Sequence, residues 1–253
     1  MFLRYLIFSF PLLFLSGCGS NSNLVRVESK VIPLSSTEYA AIDSSVYSVI
    51  EPYRSGMSAK MDEVIAVSEQ VLEKGQPEGL LGNFVTDACF NIANQYYYPE
   101  DGRQADFCLL NNGGLRASLP AGNITRKNIY ELMPFENSLS VLTLKGETLK
   151  KLFDCIAAKG GMPVSSLRMG IQNTEAVNIQ ISSVPFDKEK IYKLITSDYL
   201  ANGGDGLFLL SDLMKRDNLN LKVRDALLEY ISKLNSEGKK LNAQLEGRIV
   251  NAP

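Results

Sequence analysis

The loop Asn111-Asn112-Gly113-Gly114-Leu115-Arg116 directly follows a short apolar run at residues 107–110. Such a run, ending in a glycine-rich loop, is typical of a buried strand. The glycines allow the backbone N–H groups to approach an anion closely, and a guanidinium can hold that anion by a forked contact. An Asn-Gly-Gly stretch by itself more often forms a simple turn, so the loop has to be considered with the rest of the chain.

Two later loops contain a similar mixture of residues. Met133-Pro134-Phe135-Glu136-Asn137 presents a ring and an amide, and residues 197–206 read Ser-Asp-Tyr-Leu-Ala-Asn-Gly-Gly-Asp-Gly. Two aromatic rings from separate loops could enclose a flat base, while amide and carboxylate groups read its edge. Each loop alone is equally compatible with an ordinary turn that carries a packed ring.

Hydrophobic periodicity predicts mixed helices and strands around these loops. Helices are expected over residues 80–97, about 147–158 and 221–234, and strands over residues 107–110, 138–144, 177–181 and 192–196. Residues 38–66 look mainly helical, broken by Pro52 and the Ser55-Gly56 pair. Mixed elements with short links make the fold α+β, or mixed α/β.

The N-terminus has the pattern of a secretory signal. Arg4 precedes an apolar run at residues 6–15, and Leu15-Ser16-Gly17-Cys18 follows at once. The tetrad resembles a bacterial lipobox, which implies a signal peptide over residues 1–17 and lipidation of Cys18. The protein is then expected to be anchored to the cell envelope, facing the periplasm or the outer surface. An ordinary secretory signal with an incidental cysteine is the alternative.

The exported part divides into a polar tether and one domain. Residues 18–36 are expected to form the tether, and residues 37–253 are long enough for a single domain with a sizeable core. The formal net charge of the whole chain is −2 at pH 7. A balance of this kind provides no basic footprint for nucleic acid, and no nucleic-acid partner is expected.

The chain contains no histidine. Serine and cysteine triads in their usual form need an imidazole base, and zinc enzymes use histidine ligands. A carboxylate-only magnesium site remains formally open. Cys89, Cys108 and Cys155 are widely spaced, so they form no Cys-x-x-Cys motif. They are interpreted as small buried hydrophobes, with a disulfide between two of them left open.

In their order along the chain, the three loops resemble those of the C-terminal, substrate-binding domain of the 5'-nucleotidase and UDP-sugar hydrolase family. Glu78 with residues 81–88 resembles the first helix of that domain, and Gly146-Glu147-Thr148-Leu149 matches its strand-to-helix junction. The resemblance covers about residues 38–250 and implies layered sheets flanked by helices. It also implies that Phe135 and Tyr199 stack on the nucleobase, the family usually having Phe at the second position.

The resemblance assigns further contacts around the base. Asn137 would line the base pocket, Asn111 would contact the nucleoside, and Asp205 would accept hydrogen bonds from ribose hydroxyls. Arg116 would lie near the ribose and phosphate side. Family members often carry arginines in the segment before the first helix, where this chain has only Lys74. A lysine lacks the bidentate fork, so nucleoside binding is expected more firmly than nucleotide binding.

In this family, hydrolysis is performed by a separate N-terminal metallophosphoesterase domain with two divalent metals. A histidine-free chain cannot build a metal centre of that kind. No catalytic residue, metal ligand or cofactor is therefore predicted here, and the favoured hypothesis is the binding half of a split enzyme with a separate metallophosphoesterase subunit. The alternatives are a nucleoside-binding surface lipoprotein, a carboxylate–magnesium enzyme, and a structural protein in which Phe135 and Tyr199 pack in a core.

Overall fold

The computed structural model describes residues 26–31 and 44–253. The predicted signal peptide and Cys18 lie outside the described residues, as does most of the predicted tether. Residues 26–31 are exposed and have no regular secondary structure. None of the helices in the described part of the chain combines the length and apolarity that a bilayer crossing requires.

Residues 50–253 form one unit built from helices and three sheets. The helices are α1 (Ser44–Met61), α2 (Leu80–Tyr96), α3 (Arg126–Leu132), α4 (Gly146–Ala158), α5 (Asp198–Ala201) and α6 (Val223–Ser236). The strands are β1 (Val64–Ser68), β2 (Phe107–Leu109), β3 (Gly122–Thr125), β4 (Ser138–Lys145), β5 (Val164–Ser165), β6 (Leu167–Gln172), β7 (Glu175–Ile181), β8 (Val184–Pro185), β9 (Ile191–Ser197), β10 (Lys215–Lys222) and β11 (Ile249–Asn251).

A five-stranded sheet with the order β10-β4-β9-β2-β5 forms the centre. β2 runs parallel to β9, and the other neighbours in this sheet are antiparallel. A four-stranded sheet has the order β11-β6-β7-β8, and β1 pairs with β3 in a small ribbon. The predicted α+β class, with layered sheets flanked by helices, is confirmed.

Strand β4 of the central sheet is buried on both faces. On β4, Leu139 and Val141 join the core formed with α2 and α6, whereas Leu142 and Leu144 join the core formed with α4 and the four-stranded sheet. A strand covered on both faces has no side that must be polar, so its sequence can be continuously apolar. This explains why residues 107–110 lack the alternation of a half-buried strand.

The predicted break within residues 38–66 is wrong. Helix α1 continues through Pro52 and Gly56, and the chain then enters β1. None of the residues of α1 is buried, so water can solvate the carbonyl that the proline ring leaves without its usual N–H donor. β1 forms because its β-branched side chains fit the pleated ribbon with β3.

Candidate functional site

The three loops singled out in the sequence meet at one edge of the central sheet. β2 and β9 are parallel, so the chain leaves both strands at the same edge, towards Asn111 and towards Tyr199. β4 runs antiparallel to β9, with Leu139 opposite Ser197, so the loop before β4 reaches this edge as well. Strand order therefore brings together residues that are far apart in sequence.

An open cleft of about 380 Å³ lies among these loops, and we call it the sheet-edge cleft. Its lining residues are Asn111, Gly113, Gly114, Arg116, Phe135, Asn137, Tyr199 and Asp205. All six residues predicted to contact a ligand are in this set. Their contact with a nucleoside stays a prediction, but the structure places them together.

The two rings face the cleft and not a core. Phe135 is 42% exposed and Tyr199 is 43% exposed. Aromatic side chains usually bury most of their area, so two half-exposed rings beside one open cleft are the arrangement of a binding surface. The interpretation as a structural protein, which required both rings to pack in a core, is not supported.

The Asp205 carboxylate joins two of the loops. Asn111 Nδ2 donates to Asp205 Oδ2 at 2.9 Å, and the Tyr199 hydroxyl donates to Asp205 Oδ1 at 2.8 Å. The backbone of Asp205 is left-handed, with φ 52° and ψ 23°, and this conformation turns its side chain back towards Tyr199. Each carboxylate oxygen keeps a second lone pair, so Asp205 can still accept from a ligand hydroxyl.

The Tyr199 ring lies directly against Gly204. A Cβ atom at Gly204 would be 2.5 Å from Tyr199 Cε1, well inside van der Waals contact. The ring projects from the short helix α5, whose N-terminus is capped by Ser197 Oγ accepting from Leu200 N at 3.2 Å. The glycine and the cap together hold the ring in one place at the cleft.

Arg116 is the single cation among the residues that line the sheet-edge cleft, and Asp205 is the single anion. Arg116 is exposed, and its Nη1 donates to Gly113 O at a long 3.4 Å, so most of its fork is free for a ligand. Lys74 is exposed and does not line the cleft. The formal charges of the lining residues therefore cancel.

The start of α6 holds the loop that carries Phe135, a link that the sequence analysis missed. Glu136 forms ion pairs with Lys222 and Arg224. Arg224 Nη1 also donates to Met133 O at 3.2 Å and to Phe135 O at 3.4 Å. The carboxylate of Glu136 was the only signal in the sequence, and nothing local indicates partners 86 and 88 residues away.

These ion pairs lead to a prediction about pH. Hydrogen bonds from Lys222 and Arg224 lower the pKa of Glu136 from 4.5 to about 2. A carboxyl group whose pKa is lower in the folded than in the unfolded state stabilises the protein fully at pH values above the unfolded-state pKa. This stabilisation is lost as the pH falls towards and through the folded-state pKa. The melting temperature of Glu136→Gln should lie below that of wild type by a constant amount from about pH 8 to about pH 5, and the gap should shrink below about pH 4. If the difference in melting temperature between wild type and Glu136→Gln is undiminished at about pH 2, the ion pairs of Glu136 do not stabilise the protein.

Glu78, one of the residues that carried the family resemblance, lies outside the cleft. Its two carboxylate oxygens accept from the backbone N–H groups of Glu246 and Gly247, each at 2.9 Å. Arg248 forms a forked ion pair with Asp87, at 2.8 and 2.7 Å. These contacts fasten the C-terminal segment to α2 and to the residue Glu78 that precedes it.

The cysteines are free within the described residues. Cys89 and Cys108 are fully buried, and desolvation raises the pKa of Cys89 to about 12 and that of Cys108 well above its ordinary value. Cys155 is only partly buried, so the interpretation as buried hydrophobes applies to two of the three. In the described part of the chain, His, Cys, Asp and Glu side chains do not gather in threes as metal binding would need.

Residues 59–212 match the family model described as the C-terminal domain of 5'-nucleotidase, and this match covers more than half of the chain. The chain belongs to this 5'-nucleotidase C-terminal domain family. The predicted family is thereby confirmed.

Named relatives of the family are similar over most of the chain. An apyrase from Tabanus yao is 26% identical over 240 residues, which cover 84% of this chain and 42% of the apyrase. The 5'-nucleotidase of Mus musculus is 29% identical over 194 residues, covering 67% of this chain and 32% of the mouse protein. The crystal structure of a 5'-nucleotidase precursor from Thermus thermophilus superposes with a TM-score of 0.68 at 29% identity, covering 83% of this chain and 44% of that one. The chain spans less than half the length of each of these 5'-nucleotidase-type relatives.

Proposed function

We propose that this chain is the nucleoside- or nucleotide-binding half of a split 5'-nucleotidase-type phosphohydrolase. The observation that carries the proposal is the sheet-edge cleft, in which two half-exposed rings, two amides, one carboxylate and one guanidinium face a single space. Membership of the 5'-nucleotidase C-terminal domain family supports nucleotides as the ligand class.

The proposed contacts follow from the chemistry of each side chain. A flat base stacks between Phe135 and Tyr199, with a gain of ~1–3 kcal/mol for each stacked ring. Asn137 is half-buried beside the rings and can read the edge of the base with its amide. The ribose hydroxyls donate to Asp205, and Arg116 lies towards the phosphate.

Hydrolysis of the phosphate ester is assigned to a separate dimetal subunit. Two divalent metals in that subunit would supply the metal-assisted attack of water, while this chain binds and orients the nucleoside. The absence of histidine from all 253 residues supports this division of work. We further propose that lipidation of Cys18 anchors the chain at the cell envelope, so the subunit that it meets is an exported protein.

The sheet-edge cleft also favours a second candidate, a non-catalytic nucleoside-binding lipoprotein. The formal charges of the residues that line the cleft cancel, because Arg116 is opposed by Asp205. A phosphate monoester carries nearly two negative charges at neutral pH, so a cleft of this charge suits an uncharged nucleoside better than a nucleotide.

The experiment combines the full chain in detergent with an exported metallophosphoesterase encoded by the same genome. We expect AMP hydrolysis by that partner to be accelerated by the wild-type chain and not by a Phe135→Ala, Tyr199→Ala variant. If the wild-type chain binds adenosine but AMP hydrolysis in the mixture is no faster than with the partner alone, the split-enzyme proposal is wrong. The nucleoside-binding lipoprotein then remains.

A further inference from the structure

The loop that carries Phe135 is attached to the rest of the domain mainly by the beginning of α6. Glu136 pairs with Lys222 and Arg224, and Val223 N donates to Asn137 O at 2.9 Å. We call residues 222–224 the α6 clamp. Strand β10 ends beside the start of β4, with Lys222 opposite Ser138, so the clamp lies at the same edge of the sheet as the cleft.

Arg224 is the central residue of the α6 clamp. Its Nη1 donates to the carbonyls on both sides of Pro134, those of Met133 and Phe135, and its Nη2 pairs with Glu136. The guanidinium also lies over the Tyr130 ring, 4.3 Å from the ring centroid. One planar group therefore contacts the two peptide carbonyls that flank the Pro134-Phe135 pair.

Burial of the Arg224 side chain carries a free-energy cost. The Arg224 side chain is only 6% exposed, and its Nε is buried without a hydrogen-bond partner among the described residues. An unpaired buried donor destabilises the folded state. The contacts of Arg224 that offset this cost all go to residues 130–136, so the buried guanidinium holds this segment in particular.

We propose that Arg224 is a positioning residue, which fixes Phe135 at the sheet-edge cleft and so sets nucleoside affinity without touching the ligand. The inference rests on the proposed function for its ligand. Arg224 does not line the cleft, so its effect must pass through the loop. Lysine cannot replace it, because an ammonium lacks the planar fork that spans two carbonyls and a carboxylate.

The test compares Arg224→Lys with Arg248→Lys in the full chain. Arg248 is a matched control, since its side chain is 9% exposed, forms a forked pair with Asp87 and does not line the sheet-edge cleft. We expect Arg224→Lys to weaken adenosine binding about tenfold, because a small displacement of a binding group is enough for such a loss. Arg248→Lys should lower the melting temperature and leave the dissociation constant unchanged.

A double-mutant cycle separates positioning from general destabilisation. If Arg224 acts through Phe135, Arg224→Lys should change affinity by less than about twofold when Phe135→Ala is already present. Equal losses with and without the Phe135 ring would overturn the proposal. Wild-type affinity in Arg224→Lys would overturn it as well.

A second readout does not depend on any ligand. The Val223 amide donates to Asn137 O, so its hydrogen exchange reports whether the loop stays on the clamp. Exchange at Val223 should accelerate in Arg224→Lys relative to amides of β4, and should not do so in Arg248→Lys. If wild type binds no nucleoside, the proposed function fails, and this exchange measurement alone decides whether Arg224 positions the loop.

Discussion

Removal of both rings, by Phe135→Ala together with Tyr199→Ala, is expected to abolish measurable nucleoside binding. Each stacked ring contributes ~1–3 kcal/mol, so the loss of two corresponds to a decrease in affinity of about 30-fold to about 2 × 10⁴-fold. Both rings are already half-exposed, so their removal should leave no cavity in the core and little change in melting temperature. Calorimetric titration with adenosine and with AMP measures the effect.

Phe208→Ala is the matched control for the ring variant. Phe208 is 73% exposed and follows the same glycine-rich loop, but it does not line the sheet-edge cleft. The control should bind as wild type does. If the double ring variant still binds adenosine or AMP, the ligand lies outside the sheet-edge cleft. If the wild-type chain binds neither ligand, it has the family fold without nucleoside binding.

Gly204→Ala is expected to have the second large effect. The new Cβ would be 2.5 Å from Tyr199 Cε1 and 2.6 Å from Cδ1 and Cζ, so the ring must leave its position. Displacing the ring also separates the Tyr199 hydroxyl from Asp205, so the carboxylate that accepts from Asn111 loses its other side-chain donor. Adenosine affinity should fall about tenfold or more, since the variant loses the stacking of one ring, and overpacking should lower the free energy of unfolding by ~1–3 kcal/mol.

Gly206→Ala tests whether the effect comes from the ring or from the turn. Gly206 has φ +76° and open space where a Cβ would lie. Alanine there costs ~1–2 kcal/mol of backbone strain but meets no side chain. Gly206→Ala should therefore lose stability and keep its affinity. If Gly204→Ala binds adenosine as tightly as wild type, the Tyr199 ring is free to move and does not hold the base.

Much of the site could be predicted because its signals are local. The apolar run at residues 107–110 and the periodic helix α4 both formed where they were expected. The three loops were noticeable because each combines at least two of glycine, amide and aromatic residues immediately outside a strand or strand-like run. The predicted helix break at Pro52 was wrong, because an exposed helix can tolerate a proline when water solvates the carbonyl left without its N–H donor.

Hydrophobic periodicity in the sequence by itself determined the mixed α+β class, because it is a property of neighbouring residues. The family and the six residues that face the cleft came from the resemblance of the loops, in their order along the chain, to those of a known family. Only the tertiary structure decided how these residues support one another. Asp205 accepts from Asn111 across 94 residues, and Glu136 pairs with Arg224 across 88. Such contacts depend on the order of strands in a sheet covered on both faces, and that order is set by the packing of the whole domain, which no local pattern specifies.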